Sequence, residues 1–147
     1  MSDKQEAIVR RSIDEVWNKG KLDVIDQVFT TDFVSNDPVN QSRGLPAFKG
    51  VVTKYRSAFP DCRLDIDDVF SAGDKVVVRW RYSGTHKGQL EGIAPTGRHV
   101  SGSGITINIL SGDRIREAYV SWDALGLMQQ LGVVTLPGKA MGAGAQR

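Results

Sequence analysis

The apolar residues of this 147-residue chain change their spacing at Pro60, and that change restricts the possible folds more than any other feature. Before Pro60 they recur every three or four positions, which is the period of a helix with one buried face. After Pro60 they alternate with polar residues, which is the period of a strand in a half-buried sheet. A run of helices followed by a run of strands is typical of the α+β class.

The helical part contains three amphipathic segments. Their apolar stripes lie at residues 9–17, 22–29 and 48–59. Gly20 ends the first segment because glycine is favoured just past a helix C-terminus, and Pro60 ends the third because proline cannot continue a helix. Residues 30–38 are polar and finish with turn formers, so we expect a loop there with a short extended piece at residues 33–34.

Four strand-like segments follow, separated by turn residues. They lie at residues 62–70, 75–83, 99–110 and 114–122. Gly102 and Gly104 weaken a flat strand and predict a bend or bulge in the third segment, and Asp123 can cap a last helix. We therefore predict a curved antiparallel sheet wrapped over three N-terminal helices, forming a cone with an internal pocket. Residues 1–134 form this domain, and residues 135–147 have too few apolar side chains to pack, which predicts a flexible tail.

Charge and cysteine content argue against several classes of protein. The 19 Lys and Arg against 17 Asp and Glu give a net charge of +2, and no block of like charges occurs. Neither nucleic acid nor an anionic membrane surface is therefore expected as a partner. No apolar run reaches the roughly 18 residues of a membrane span. Cys62 is the single cysteine, so no disulfide can form within this sequence, which predicts a reducing compartment such as the cytoplasm.

Cofactor and metal motifs are missing from the sequence. The run Gly102-Ser103-Gly104 lacks the third glycine of a dinucleotide loop and lies inside a predicted strand. His86 and His99 are the only histidines, and no cysteine or carboxylate stands at ligand spacing from them, so we expect no metal. Carboxylates, the histidines and hydrogen-bonding side chains remain. These suit proton transfer without a cofactor.

Four segments together form a recognisable set. They read WNKG at residues 17–20, GTHKG at 84–88, GIAPTGR at 92–98 and DALGLMQQLG at 123–132. In combination they resemble the SnoaL-like polyketide cyclase and ester cyclase family, within the cone-shaped nuclear transport factor two-like superfamily, over roughly residues 6–132. The resemblance implies a deep apolar pocket for a small hydrophobic molecule, no cofactor, and assembly as a homodimer or larger homo-oligomer. Because the superfamily's fold serves many activities, it does not specify the reaction.

One position departs from the aromatic polyketide cyclases that the chain resembles. Their acid/base aspartate lies on the last strand, three residues before the aspartate that opens the final helix, and that position is Val120 here. A histidine of their preceding strand falls at Thr106. Valine cannot exchange protons, so the cyclase mechanism does not transfer as it stands. We expect either a cyclase-like lyase or isomerase that uses other groups, or a non-catalytic module that binds a hydrophobic molecule.

The candidates for proton transfer are two carboxylates and two hydrogen-bonding side chains. Asp123 or Asp37 would be the base, and His86 with Asn108 would stabilise a developing oxyanion. Structural alternatives exist for all four. Asp123 would serve as a helix cap, and Asp37 as a turn former before Pro38. His86 would be held by loop backbone, and Asn108 would lie on an exposed sheet face.

The residues expected to contact a substrate come from helices, loops and strands. They are Trp17, Phe33, Asn36, Tyr55, Trp80, Thr106, Asn108, Val120 and Trp122, with Tyr82 in the same aromatic set. Aromatic residues at these spacings are also common in an ordinary core. Thr106 and Asn108 share one face of the third strand, and the other face carries Ile105, Ile107 and Ile109, which would suit an oligomer interface. Periodicity alone does not say which of the two faces is concave.

Overall fold

The computed structural model describes residues 2–135 and residue 137. Its helices are α1 (Ser2–Arg11, continued by a π-helical segment at Ser12–Asn18), α2 (Leu22–Val28), α3 (Leu45–Ala58) and α4 (Ala124–Gln130). Its strands are β1 (Phe29–Asn36), β2 (Ser42–Arg43), β3 (Arg63–Ala72), β4 (Lys75–Thr85), β5 (His99–Ser111) and β6 (Arg114–Trp122). The tail that we predict to be flexible lies outside the described residues except at positions 135 and 137.

All six strands belong to one curved, unclosed sheet in the order β2-β1-β6-β5-β4-β3. Strands β3 to β6 form an antiparallel meander, in which each strand pairs with the next along the chain. Helices α1 to α3 precede the meander and pack on its concave face. The predicted α+β class and the curved sheet over three helices are confirmed.

Strand β1 is longer than the sequence indicates. The short extended piece expected at residues 33–34 is part of an eight-residue strand that runs parallel to β6, with Ser35 opposite Ala118. Two features conceal it in the sequence. The register shifts between Phe29 and Val34, which breaks the alternation, and the partner strand lies near the other end of the chain.

The glycines of β5 make room for aromatic rings and do not form a bulge. The pairing of β5 with β4 is unbroken over residues 99–109, with Gly104 opposite Trp80 and Gly102 opposite Tyr82. A Cβ at Gly102 would lie 2.5 Å from the Tyr82 ring, and one at Gly104 would collide with Trp80. The bulge lies further along, between residues 109 and 110 in the pairing with β6. The bulge therefore lies within the predicted segment but not at the two glycines.

Two side-chain amides fix helices to the sheet by pairing with strand backbone. Asn18, at the end of the π-helical segment, accepts from the Leu64 N–H (2.7 Å) and donates to the Leu64 carbonyl (2.9 Å). Gln130, at the end of α4, accepts from the Ser101 N–H (2.9 Å) and donates to the Ser101 carbonyl (2.8 Å). Both amides lie in the segments that carry the family resemblance, which gives those segments a structural role.

Two further observations concern residues 2–135 and 137. No helix among them is both long and apolar enough to cross a membrane. Within the same ranges, no three His, Cys, Asp or Glu side chains come together in a way that could hold a metal ion.

Candidate active site

A cavity of about 180 Å³ lies between the helices and the concave face of the sheet. Thr106 and Asn108 face it, whereas Ile105 and Ile107 on the other face of β5 are 46% and 37% exposed. This settles which face of the sheet is concave. The residues predicted to contact substrate that do line the cavity are Trp17, Phe33, Tyr55, Trp80, Thr106, Asn108, Val120 and Trp122.

Trp122, at the end of β6, organises the polar end of this cavity. Tyr55 from α3 and Tyr82 from β4 pack edge-on against its ring, with centroid distances of 6.3 and 6.2 Å. The indole Nε1–H donates to Oδ1 of Asp37 at 3.1 Å. One side chain thus brings a carboxylate and two phenols to the same part of a largely apolar cavity.

Asp37 lies in the loop after β1 and is the only carboxylate among the described residues that line the cavity. Its Oδ1 accepts three hydrogen bonds, from the backbone N–H of Val39 (2.9 Å), the backbone N–H of Asn40 (3.0 Å) and Trp122. These three donors fix the orientation of the carboxylate. Because all of them fall on Oδ1, Oδ2 is the oxygen that can accept a proton from a bound molecule.

Tyr82 presents a buried hydroxyl that has no hydrogen-bond partner among the described residues. Burial raises the pKa of this hydroxyl to about 12, and the negative charge of nearby Asp123 adds to the shift. Tyr82 therefore keeps its proton at neutral pH. It is suited to donate a hydrogen bond to a carbonyl oxygen, not to remove a proton.

Tyr55 is the second phenol of the cavity, and its Oη accepts a hydrogen bond from Nδ2 of Asn40 at 2.8 Å. Burial raises the pKa of Tyr55 and outweighs the opposing effects of the Asn40 hydrogen bond and the Lys54 charge. Tyr55, like Tyr82, is therefore protonated at neutral pH. Asn40 also lines the cavity, and the sequence analysis missed it because it stands in a loop, where no periodicity identifies an inward-facing residue.

The structure places Asp123 and His86 outside the cavity lining. Asp123 is exposed, and its Oδ1 accepts from the Gly126 N–H at 2.8 Å, so it caps α4. His86 is completely buried and stacks on Phe59 at 5.4 Å, while its Nδ1 accepts from the Thr96 N–H at 3.1 Å. Asp123 therefore makes the contact expected of a helix cap, and His86 Nδ1 is held by loop backbone, whereas His86 Nε2 is buried with no hydrogen-bond partner among the described residues.

The remaining polar candidates differ in position. Asn36 lies outside the lining, because its side chain donates to Glu117 and to the Ala118 carbonyl at 3.1 Å each. Thr106 faces the cavity and accepts from the Trp80 indole N–H at 2.9 Å. Asn108 is buried on the cavity wall, with a long contact of 3.4 Å from its Nδ2 to the Val76 carbonyl.

The fold and the cavity define a class of protein. A curved, open sheet that wraps over three helices around a largely apolar cavity is the cone of nuclear transport factor two-like proteins. Within that class, the chain belongs to the SnoaL-like polyketide cyclase family, which it matches over residues 7–131.

Comparisons with individual proteins agree with this assignment. The aklanonic acid methyl ester cyclase of Streptomyces peucetius is 30% identical over 130 residues, which cover 85% of this chain and 88% of the relative. A solved structure assigned as a SnoaL-like polyketide cyclase from Jannaschia sp. CCS1 superposes with a TM-score of 0.84 at 25% identity, covering 91% of this chain and 95% of that one. A second, assigned as a polyketide cyclase from Acidithiobacillus ferrooxidans, gives 0.78 at 29% identity, with coverage of 90% and 96%.

Proposed function

We propose that this protein is a cyclase-type enzyme that moves a proton at a carbon next to a carbonyl group in a small, apolar, polyketide-like compound. The reaction class includes ring closure, isomerisation and dehydration, and needs no cofactor. The observation that carries the proposal is the meeting of Asp37, Tyr55 and Tyr82 around Trp122 in an apolar cavity. A base and oxyanion donors in an apolar site are what such a proton transfer requires.

The roles follow from the hydrogen bonds. Oδ2 of Asp37 takes the proton from carbon, and the electron pair moves onto the carbonyl oxygen. The hydroxyl of Tyr82 donates to that oxygen, since it has no partner of its own among the described residues. Asn108, on the cavity wall, is a further contact for the substrate. The base then comes from the loop after β1, and the β6 position at which the resembled cyclases carry their aspartate remains an apolar contact, Val120.

Aklanonic acid methyl ester is a suitable first substrate, because two relatives are named as its cyclases. In ring closure the carbon that loses its proton bonds to a second carbonyl carbon, and the oxygen of that carbonyl takes up the proton. The wild type should therefore convert the open ester to a ring-closed isomer of the same mass, and chromatography with mass spectrometry measures the rate. We expect Asp37→Asn to lower the rate about 10²- to 10⁴-fold, the usual contribution of a general base. The asparagine keeps an oxygen for the three N–H donors, so the loop should persist.

Asp123→Asn is the matched control, because it makes the same change at a carboxylate that caps α4 outside the cavity. Its rate should stay within about twofold of the wild type, since asparagine is an equally good cap. If Asp37→Asn keeps the wild-type rate, or if Asp123→Asn lowers the rate as much as Asp37→Asn does, Asp37 is not the base.

A non-catalytic binding function is the second candidate, and a specific observation favours it. Val120 and Thr106 face the cavity at the two positions where the resembled cyclases carry acid/base groups. A binding module would hold a flat ketone such as 9-fluorenone with an affinity that hardly changes between about pH 5 and pH 8. Absence of any turnover together with such a flat profile would support this function, and a steep profile would count against it.

The single cysteine still predicts a reducing compartment such as the cytoplasm. We also propose that the chain forms a homodimer through the convex face of the sheet. Register places four apolar side chains in one row across β3 to β6, namely Phe70, Val77, Ile107 and Tyr119. Ile109, expected in the same interface, is buried and does not belong to it.

A further inference from the structure

A chain of hydrogen bonds leads from the protein surface to the hydroxyl of Tyr55. Lys54 Nζ donates to Oε2 of Glu91 at 2.6 Å and to Oδ1 of Asn40 at 2.8 Å. Nδ2 of Asn40 then donates to Oη of Tyr55 at 2.8 Å. Asn40 is only 7% exposed, so its amide is shielded from water that could replace these partners.

Only one assignment of donors and acceptors fits this series of hydrogen bonds. An ammonium group can only donate, so the amide oxygen of Asn40 must face Lys54. The amide nitrogen must then face Tyr55, and a nitrogen of this kind can only donate as well. The Tyr55 oxygen therefore accepts, and its own O–H is not used in this contact. That hydroxyl hydrogen is free to point into the cavity that Tyr55 lines.

Asn40 also contacts the proposed base. Its backbone N–H donates to Oδ1 of Asp37 at 3.0 Å, while its side chain holds Tyr55. One residue thus fixes both the carboxylate that would take the proton and the phenol that would face the carbonyl oxygen.

The position of Glu91 at the outer end of the chain is fixed by its backbone. Leu90 and Ile93 exchange two backbone hydrogen bonds of 3.0 and 2.7 Å, which close a tight turn. Glu91 and Gly92 occupy the centre of that turn with φ of +47° and +83°, the type I′ pattern. Glutamate rarely adopts a positive φ, and here the conformation coincides with an ion pair that reaches Lys54 on α3.

We propose that Asn40 is a positioning residue that turns the Tyr55 hydroxyl proton into the cavity, with Lys54 and Glu91 fixing the direction of the Asn40 amide. Tyr55 is then a second catalytic hydrogen-bond donor to the carbonyl oxygen of the substrate, beside Tyr82. When Asp37 takes the proton from carbon, the electron pair shifts to that oxygen and both phenols stabilise it. Neither phenol loses its proton. This assignment rests on the proposed function, because it gives Tyr55 a role in the same proton transfer.

The test uses Asn40→Asp, which keeps the size of the side chain but replaces the donating nitrogen with an oxygen. The Tyr55 hydroxyl would then donate to residue 40, and its proton would leave the cavity. The probes are 9-fluorenone and its parent hydrocarbon fluorene, which differ by one carbonyl group. We expect the preference for fluorenone over fluorene in Kd to fall about 3- to 10-fold, the effect of one hydrogen bond between neutral groups.

The infrared carbonyl stretch of bound fluorenone reports directly on hydrogen bonds to its carbonyl oxygen. It would not change if Asn40 only stabilised the fold. Its frequency should rise equally in Asn40→Asp and in Tyr55→Phe, because each variant removes the same hydrogen bond. The double variant should match Tyr55→Phe alone. Lys54→Met, which frees the Asn40 amide to turn over, should raise the frequency by a smaller amount and serves if Asn40→Asp does not fold.

Gln41→Glu is the matched control, since it adds the same negative charge one residue further on, at an exposed side chain. It should leave both the preference and the stretch unchanged. If fluorenone binds to Asn40→Asp with the wild-type stretch while Tyr55→Phe shifts it, Asn40 does not direct the hydroxyl and the proposal is wrong. If neither probe binds to the wild type, both the role of Asn40 and the proposed function fail. The experiment therefore distinguishes a failure of the Asn40 role alone from a failure of both.

Discussion

The Tyr82 hydroxyl is a polar group buried without a hydrogen-bond partner in the described part of the chain. Such a group costs about 1–3 kcal/mol of folding free energy, because it loses its hydrogen bonds to water and gains none in return. A side chain that serves only as core would be better as phenylalanine. An unpaired donor inside the cavity is therefore understandable if a bound molecule provides the acceptor.

Replacing Tyr82 with phenylalanine should separate stability from function. We expect Tyr82→Phe to leave the free energy of unfolding unchanged or to raise it by about 1 kcal/mol, because it removes an unpaired buried hydroxyl. Turnover should fall, since one oxyanion donor is lost. Chemical denaturation and the ring-closure assay measure the two effects. A variant that is clearly less stable than the wild type would mean that the hydroxyl has a partner in solution.

The wild type and Tyr82→Phe should also differ in how their stability depends on pH. The folded pKa of Tyr82, about 12, lies above its ordinary value of 10.0, so the folded state holds this proton more tightly than the unfolded state. The resulting contribution to stability is complete below about pH 10 and is lost as the pH rises through 12. The stability of the wild type should therefore fall relative to Tyr82→Phe over that range, and parallel curves would contradict the shifted pKa.

At the scale of elements, neighbouring strands are fitted to each other by residue size. Two glycines of β5 stand opposite two aromatic residues of β4, so the rings of Trp80 and Tyr82 lie across the β5 backbone. This arrangement holds the aromatic wall of the cavity against the sheet. Gln130 and Asn18 fix α4 and the π-helical segment to strand backbone in a similarly specific way.

Gly104→Ala should show how tightly β4 and β5 fit. A Cβ at this position would collide with Trp80 and approach Trp122, so we expect a loss of about 1–3 kcal/mol in the free energy of unfolding. Gly50→Ala is the matched control, because a Cβ there meets nothing within 4 Å on α3. It should stabilise the protein by about 0.5–1 kcal/mol. If Gly104→Ala and Gly50→Ala change the free energy of unfolding equally in urea denaturation, the Trp80 ring moves aside without cost.

At the scale of the whole molecule, the sheet has two faces with different uses. The concave face forms the cavity wall with Trp80, Thr106 and Val120. The convex face leaves Phe70 and Tyr119 about half exposed, at 53% and 48%, in the row that also holds Val77 and Ile107. Neighbouring exposed apolar side chains of this kind are typical of an interface.

Ile107→Lys should therefore convert the proposed dimer to a monomer, because it places a charge at the centre of the row. Sedimentation velocity at micromolar concentration measures the change. Thr53→Lys is the control, since Thr53 is exposed on α3 and lies outside the sheet, and it should remain dimeric. A wild type that sediments as a monomer would refute the interface.

The sequence by itself determined the class of fold and most of the elements. The spacing of apolar residues and the positions of Gly, Pro and capping residues are local properties of the sequence. The helices before Pro60, the meander after it and the helix that follows Asp123 could therefore all be predicted. The same reasoning selected several aromatic residues of the cavity wall, including Trp17, Trp80 and Trp122, because inward-facing apolar residues follow the period of their element.

Only the tertiary structure decided which polar groups meet. Asp37, Tyr55, Tyr82 and Trp122 come from a loop, a helix and two strands, and no local pattern relates them. Periodicity could not distinguish the concave face from the convex one. The sequence left two roles open for Asp123, base and helix cap, and the structure shows its carboxylate on the Gly126 N–H. Contacts between distant segments depend on how the sheet curves, and that curvature arises from all the strands packing together.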